Sequence, residues 1–136
     1  MVTQQILSAH PSPASHLDAL VACIEDCFEC EQACTACADA CLAEEKLDML
    51  RRCIRTDLDC ADICATTGRV LSRQTEPTWG LIRDQVTSLR TACRTCAEEC
   101  EKHKDKHEHC RICAEACRRC EQSCDRLLDA LPKATA

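Results

Sequence analysis

The stretch Cys23-Ile24-Glu25-Asp26-Cys27-Phe28-Glu29-Cys30-Glu31-Gln32-Ala33-Cys34-Thr35-Ala36-Cys37-Ala38-Asp39-Ala40-Cys41 advances from cysteine to cysteine in steps of 4, 3, 4, 3 and 4. Residues three and four apart share one face of an α-helix, and the alternation of the two steps is the a/d pattern of a heptad seam. The spacing therefore predicts a helix whose inward face carries thiols where a bundle ordinarily carries leucine, isoleucine or valine. The device returns at Cys110, Cys113, Cys117, Cys120 and Cys124, and at Cys93, Cys96 and Cys100. With one member replaced, it recurs at Cys53, Cys60 and Cys64.

Outward from these ladders, the breaks are few. The chain has two glycines and four prolines, and Pro11, Pro13 and Pro132 lie near its ends. Pro77, between Ser72-Arg73-Gln74-Thr75-Glu76 and Thr78-Trp79-Gly80, suits a loop with proline entering a first helical turn. No run of alternating β-branched residues suggests a strand. Four helices are predicted, over 15–44, 47–73, 78–104 and 107–131, with Asp48 and Asp105 as capping residues at two of the starts. Short connections near 45 and 105 make neighbours antiparallel. The fold class is thus all-α: an antiparallel up-down-up-down four-helix bundle over 15–131, with a loosely docked arm at 1–14 and a tail at 132–136.

Up-down-up-down order puts the end of the first helix, the start of the second, the end of the third and the start of the fourth together at one end, here the top. Cysteines of the second and third helices collect there. At the bottom, Leu17, Leu20, Val21, Val70, Leu71, Trp79, Ile82, Val86, Leu89, Leu127, Leu128 and Leu131 form an apolar plug. At about 1.5 Å per residue the ladder from Cys23 to Cys41 spans about 27 Å, room for a file of ions.

Seventeen cysteines in 136 residues set the chemistry. The first ten residues lack a basic start followed by an apolar run, so a cytosolic chain with reduced thiols is expected, and an odd cysteine total fits complete pairing badly. One or two seam cysteines would be core filler, because free cysteine is a small, readily buried hydrophobe. A core built mainly of sulfur packs less volume than leucine and calls for another return, which metal binding supplies. A net charge of -6 with one Trp and one Phe argues against a nucleic-acid surface. No apolar run approaches the roughly 20 residues of a membrane span.

Thiolates select soft ions, which leaves Cu(I), Zn(II) and iron–sulfur clusters. Zinc wants closed tetrahedra of four ligands, and four thiolates on Zn(II) leave two negative charges per site in a low-dielectric core. Cu(I) takes two or three thiolates, and bridging sulfurs bring the ratio near one ion per cysteine and the file near neutrality. Cys27-x2-Cys30-x3-Cys34 resembles fragments of ferredoxin spacing, but the proline and loop of that motif are missing. Multiple Cu(I) ions are the expected cargo, with no substrate turned over. A thiol redox sensor or oxidoreductase, and a zinc- or iron–sulfur-binding helical protein, stay open as alternatives, as does a sulfur core of purely structural purpose.

Three histidines, His103, His107 and His109, fall at the thiol-rich end. His103 continues the seam three residues after Cys100, and His109 lies one turn before Cys113. Imidazole is a borderline ligand able to take an incoming Cu(I) ion and release it to thiolates below, although the surrounding Lys102, Lys104, Asp105 and Lys106 also suit a solvated loop. Met49 reads as core filling in preference to a thioether ligand, and His10 and His16 receive no role. Asp57 stands between Cys53 and Cys60 where a seam residue is expected. Either it turns inward, ordering cysteines or accepting their protons as metal binds, or the helix rolls to bring Thr56 in and leaves Asp57 in water.

Cysteine ladders on four helices, built from C-x3-C and C-x2-C steps with histidines at one mouth, resemble the bacterial copper storage proteins, specifically their cytosolic branch. The likeness runs from about residue 16 to 131. It implies a homotetramer of bundles, each storing many Cu(I) ions delivered by a copper chaperone or small thiol carrier. It also implies bis-thiolate pairs: Cys23 with Cys27, Cys30 with Cys34, Cys37 with Cys41, Cys60 with Cys64, Cys96 with Cys100, Cys113 with Cys117, and Cys120 with Cys124. Cys53, Cys93 and Cys110 would complete or bridge neighbouring ions, and His103 and His107 would admit copper at the mouth. Asp57 in the seam departs from the pattern and leaves the stoichiometry near Cys53 and Cys60 open.

Overall fold

The computed structural model describes residues 2–133. Helices α2 (Leu17–Leu42), α3 (Arg51–Ser72), α4 (Trp79–Glu101) and α5 (Glu108–Ala130) form the bundle, preceded by a short α1 (Val2–Ser8). Around the barrel of helices α2 neighbours α3 and α5, and α4 neighbours the same two, so every long helix packs against antiparallel partners. No strand occurs among the described residues.

The helix interiors follow the seams closely. In α2 the inward positions Leu20, Val21, Cys23, Ile24, Cys27, Cys30, Cys34, Cys37, Ala38 and Cys41 are buried, and no glycine or proline interrupts it. Asp18 in its first turn complements the positive end of the helix dipole. Gly68 of α3 lies where a Cβ would come within 2.8 Å of the Phe28 ring, so its missing side chain lets α3 approach α2 there. Between α4 and α5, Arg94 with Glu121, Arg118 with Glu101 and Arg90 with Asp125 tie the surface; exposed pairs of this kind contribute only a few tenths of a kcal/mol each.

The bottom is closed as the apolar pattern required. Leu20, Val21, Leu71, Ile82, Val86, Leu89, Leu127 and Leu131 are buried, with Leu17, Val70, Trp79 and Leu128 partly buried around them. Each fully buried leucine or valine contributes about 2 kcal/mol of transfer free energy, so this end carries much of the hydrophobic stabilisation. Leu7 of α1 belongs to the same cluster at 5% exposure, and His10 reaches Thr75 of the α3–α4 connection at 3.1 Å. The segment expected as a loosely docked arm thus contains a two-turn helix that buries Thr3 and Leu7. A helix that short has no stability of its own in water, which is why periodicity does not reveal it.

Two local expectations are corrected. Asp48 and Asp105 do not cap helices. Asp48 lies within a 3₁₀ turn (Leu47–Leu50) that precedes α3 and receives the Arg51 guanidinium at 2.7 Å. The cap position of α5 is His107, and the backbone bonds His103 N–H to Cys100 O and His107 N–H to His103 O carry the chain past Asp105 before α5 starts. Met49, read as core filling, is 56% exposed, because the 3₁₀ turn directs Leu50 inward and Met49 out.

Candidate metal centre

All seventeen cysteines are free and buried, and the most exposed of them, Cys37, is 2% accessible. The seam spacing brings sulfurs together both along and between helices. Along helices, Cys30 and Cys34 are 3.8 Å apart, Cys60 and Cys64 3.9 Å, and Cys96 and Cys100 3.9 Å. Between helices, Cys34 lies 3.6 Å from Cys117 and 3.7 Å from Cys113, Cys30 3.7 Å from Cys117, and Cys53 3.6 Å from Cys100.

These contacts assemble into groups whose ligand atoms all lie within 4.8 Å of one another: Cys30, Cys64, Cys93, Cys120; then Cys30, Cys34, Cys60, Cys117; then Cys34, Cys96, Cys113, Cys117. Nearer the top follow Cys37, Cys41, Cys53, Asp57 and finally Cys37, Cys41, Cys110, His109. Cys30, Cys34, Cys117, Cys37 and Cys41 each belong to at least two groups. A sulfur shared between sites must bridge, which isolated four-thiolate tetrahedra do not allow and polynuclear Cu(I)–thiolate chemistry uses.

Asp57 is turned fully inward, at 0% exposure. Its Oδ1 is 3.0 Å from Cys96 Sγ, 3.3 Å from Cys113 and 3.5 Å from Cys100, and its Oδ2 is 3.9 Å from Cys53. Thr56 is buried too, but its hydroxyl donates back to the Arg52 and Cys53 carbonyls, so no roll of α3 is needed to satisfy it. Burial first, then the surrounding sulfurs, push the Asp57 carboxyl up to about 11. A carboxyl raised that far holds its proton at physiological pH. Burial likewise pushes the Cys41 thiol up, to about 12.

At the mouth the three histidines separate. His109 Nδ1 is 3.4 Å from Cys37 Sγ and 3.6 Å from Cys110 Sγ, inside the ligand group. His107 stacks on it, ring centroids 5.4 Å apart. His103 instead places Nε2 2.9 Å from Glu99 Oε2. Burial raises the Glu99 carboxyl, but hydrogen bonds from His103 and Lys102 outweigh it and leave the group below its usual range. His103 and His107 line a cleft of about 560 Å³ with Glu44, Lys46, Met49 and Leu50. Glu44, which no spacing singles out, faces both His107 and His109.

A four-helix bundle with a continuous file of shared, buried thiols, sealed below by leucines and bordered above by imidazoles, defines a protein that holds several soft metal ions at once. Residues 16–129 match the family described as copper storage protein, and the chain belongs to that family. It is similar to the copper storage protein of Streptomyces lividans solved with 10 copper equivalents: 47% identity, TM-score 0.93, covering 95% of this chain and 99% of that one. A second structure, of copper loading to a cytosolic copper storage protein from Streptomyces lividans with five coppers, is 52% identical at TM-score 0.83 over 85% of this chain and 96% of the other. The Cu(I)-bound copper storage protein of Bacillus subtilis is 38% identical at TM-score 0.68, over 76% and 92% respectively.

Proposed function

We propose that this chain is a cytosolic store for many Cu(I) ions, held by thiolates along the bundle axis, and that it turns over no substrate. The observation that carries this reading is the sharing of Cys30, Cys34 and Cys117 between successive four-sulfur groups. It lets a thiolate serve two ions and brings the charge of a loaded file toward zero, where separate four-thiolate zinc sites would accumulate negative charge.

The seventeen cysteines are the principal ligands, with Asp57 and His109 supplementing them near the top. A carrier, either a copper chaperone or a small thiol complex, meets the cleft lined by His103 and His107 first. Copper then passes to His109 and on to Cys37 and Cys110, and moves inward by ligand substitution. Each thiol that binds loses a proton, so loading releases protons and cross-links the helices along the thiol file. Leu42, Leu58, Leu81 and Ile112 stand on the outer face of the bundle, between 48% and 61% exposed, and supply apolar surface for the association of bundles into a homotetramer.

Anaerobic titration of the reduced apo-protein with Cu(I) against a competing chelator tests the storage role. The expected result is a tight plateau between several ions and roughly one per cysteine, with weak Zn(II) competition. A plateau at one or two ions, or preference for Zn(II), overturns it. Sedimentation of the same samples tests the tetramer, which a monomer mass at micromolar concentration would rule out.

A further inference from the structure

We infer that Glu44 is a positioning residue for the mouth: its carboxylate turns the lone pair of His109 Nδ1 toward Cys37 and Cys110. The inference rests on the uptake role proposed above for this end of the bundle. Glu44 follows directly after the end of α2, and its backbone N–H donates to Cys41 O at 3.2 Å, so it is anchored to the same turn as the uppermost cysteine of the ladder. From there Oε1 lies 3.2 Å from His109 Nε2, and Oε2 lies 3.4 Å from His107 Nδ1.

An ionised carboxylate offers only lone pairs, so a ring nitrogen hydrogen-bonded to it must carry the hydrogen. A neutral imidazole has one. His109 is therefore the Nε2–H form, and its Nδ1 accepts from a thiol of Cys37 or Cys110, 3.4 and 3.6 Å away. The same lone pair is the one a Cu(I) ion takes up. In the opposite form a hydrogen would point at the sulfurs and no nitrogen could bridge an ion to them. His107 stacks on this ring and also faces Glu44, at 3.4 Å, without a hydrogen bond to it. The carboxylate thus sets the inner ring nitrogen of His109 as the atom able to hand an ion to the thiols. Carboxylate partners orient ligating histidines elsewhere by this means, and their loss costs ten-fold or more in metal affinity or activity.

The test reads the rings before any copper is added. In reduced apo-protein at about pH 8, two-bond proton–nitrogen spectra are expected to show His109 as Nε2–H. Glu44→Ala should let His109 populate both forms and slow the first phase of anaerobic Cu(I) uptake about ten-fold. Glu44→Gln keeps an acceptor oxygen for His109 and should stay near the wild-type rate. An unchanged His109 ring form in Glu44→Ala, or a wild-type His109 in the Nδ1–H form, overturns the inference. His109→Ala serves as the separate control: its loading at the wild-type rate would remove the uptake role of the mouth, whereas slow loading with an indifferent Glu44→Ala would remove only the positioning role.

Discussion

Cys96 Sγ lies 3.0 Å from Asp57 Oδ1, joining α4 to α3 inside the bundle through a carboxyl group that water does not reach. The seam of α3 places an acid where the other ladders place a thiol, and the fold accepts it by surrounding one oxygen with three sulfurs. A carboxyl group is costlier to bury than a thiol of nearly the same volume. Asp57→Cys, which completes the seam between Cys53 and Cys60, is therefore expected to raise the stability of the reduced apo-protein by about 1 kcal/mol. The variant should bind at least as many Cu(I) ions. Denaturant unfolding under reducing conditions and copper titration measure both; a less stable variant would mean that the acid organises the apo core.

His109→Ala should slow the onset of copper uptake about ten-fold, and His103→Ala much less. The reason is geometric: His109 touches Cys37 and Cys110, whereas His103 is engaged with Glu99. Stopped-flow absorbance of the forming copper–thiolate chromophore under anaerobic conditions gives the rates. A larger effect at His103 would reverse the assignment.

Position along the file should separate rate from capacity. Cys37→Ser, at the mouth, is expected to slow early uptake, and Cys124→Ser, next to the apolar plug, to lower capacity with little change in initial rate. Cys34→Ser should cost about two ions per chain, since Cys34 belongs to two ligand groups. Equal uptake rates for the mouth and plug variants would sink the one-ended filling route.

Leu89→Ala removes a fully buried side chain from the plug and should cost the apo-protein about 3 kcal/mol, with copper capacity unchanged. Loading should recover much of the loss in thermal midpoint, because ions bound only by the folded chain stabilise it by mass action. Calorimetry of the apo and loaded forms compares the two. Persistence of the full deficit after loading would show that metal does not brace the bundle.

Both ring nitrogens of His16 are buried without a hydrogen-bond partner, edge-on to Trp79. Burial lowers its pKa in the folded chain. The unfolded chain then binds the proton more readily, so the stability associated with neutral His16 is complete above about pH 6.5 and is lost as pH falls toward the folded value. His16→Phe keeps the aromatic contact and should flatten that part of the apo stability profile below pH 6.5. An identical acid slope in both proteins would place its origin elsewhere.

Much of this molecule was legible because its decisive residues repeat. Helix identity, bundle order, the apolar plug and the thiol file all follow from cysteine spacing and from where leucines replace cysteines, since a period of 3.5 to 3.6 dictates which side of a helix faces in. The misreadings fall where no period operates. Asp48, Asp105 and Met49 sit in turns whose course depends on a few backbone bonds, and α1 buries only Thr3 and Leu7.

The spacing of Cys23 to Cys41 and its repeats determined that thiols line a four-helix core and that soft metal is the cargo, because heptad geometry converts sequence intervals directly into a shared face. Only the tertiary structure decided which sulfurs belong to two groups, that Asp57 points inward, that His109 rather than His103 meets the thiols, and that Glu44 stands between two imidazoles. Those outcomes depend on the rotation and approach of four helices and on two short turns, and relations between residues 65 apart in the chain, as Glu44 and His109 are, leave no trace in local spacing.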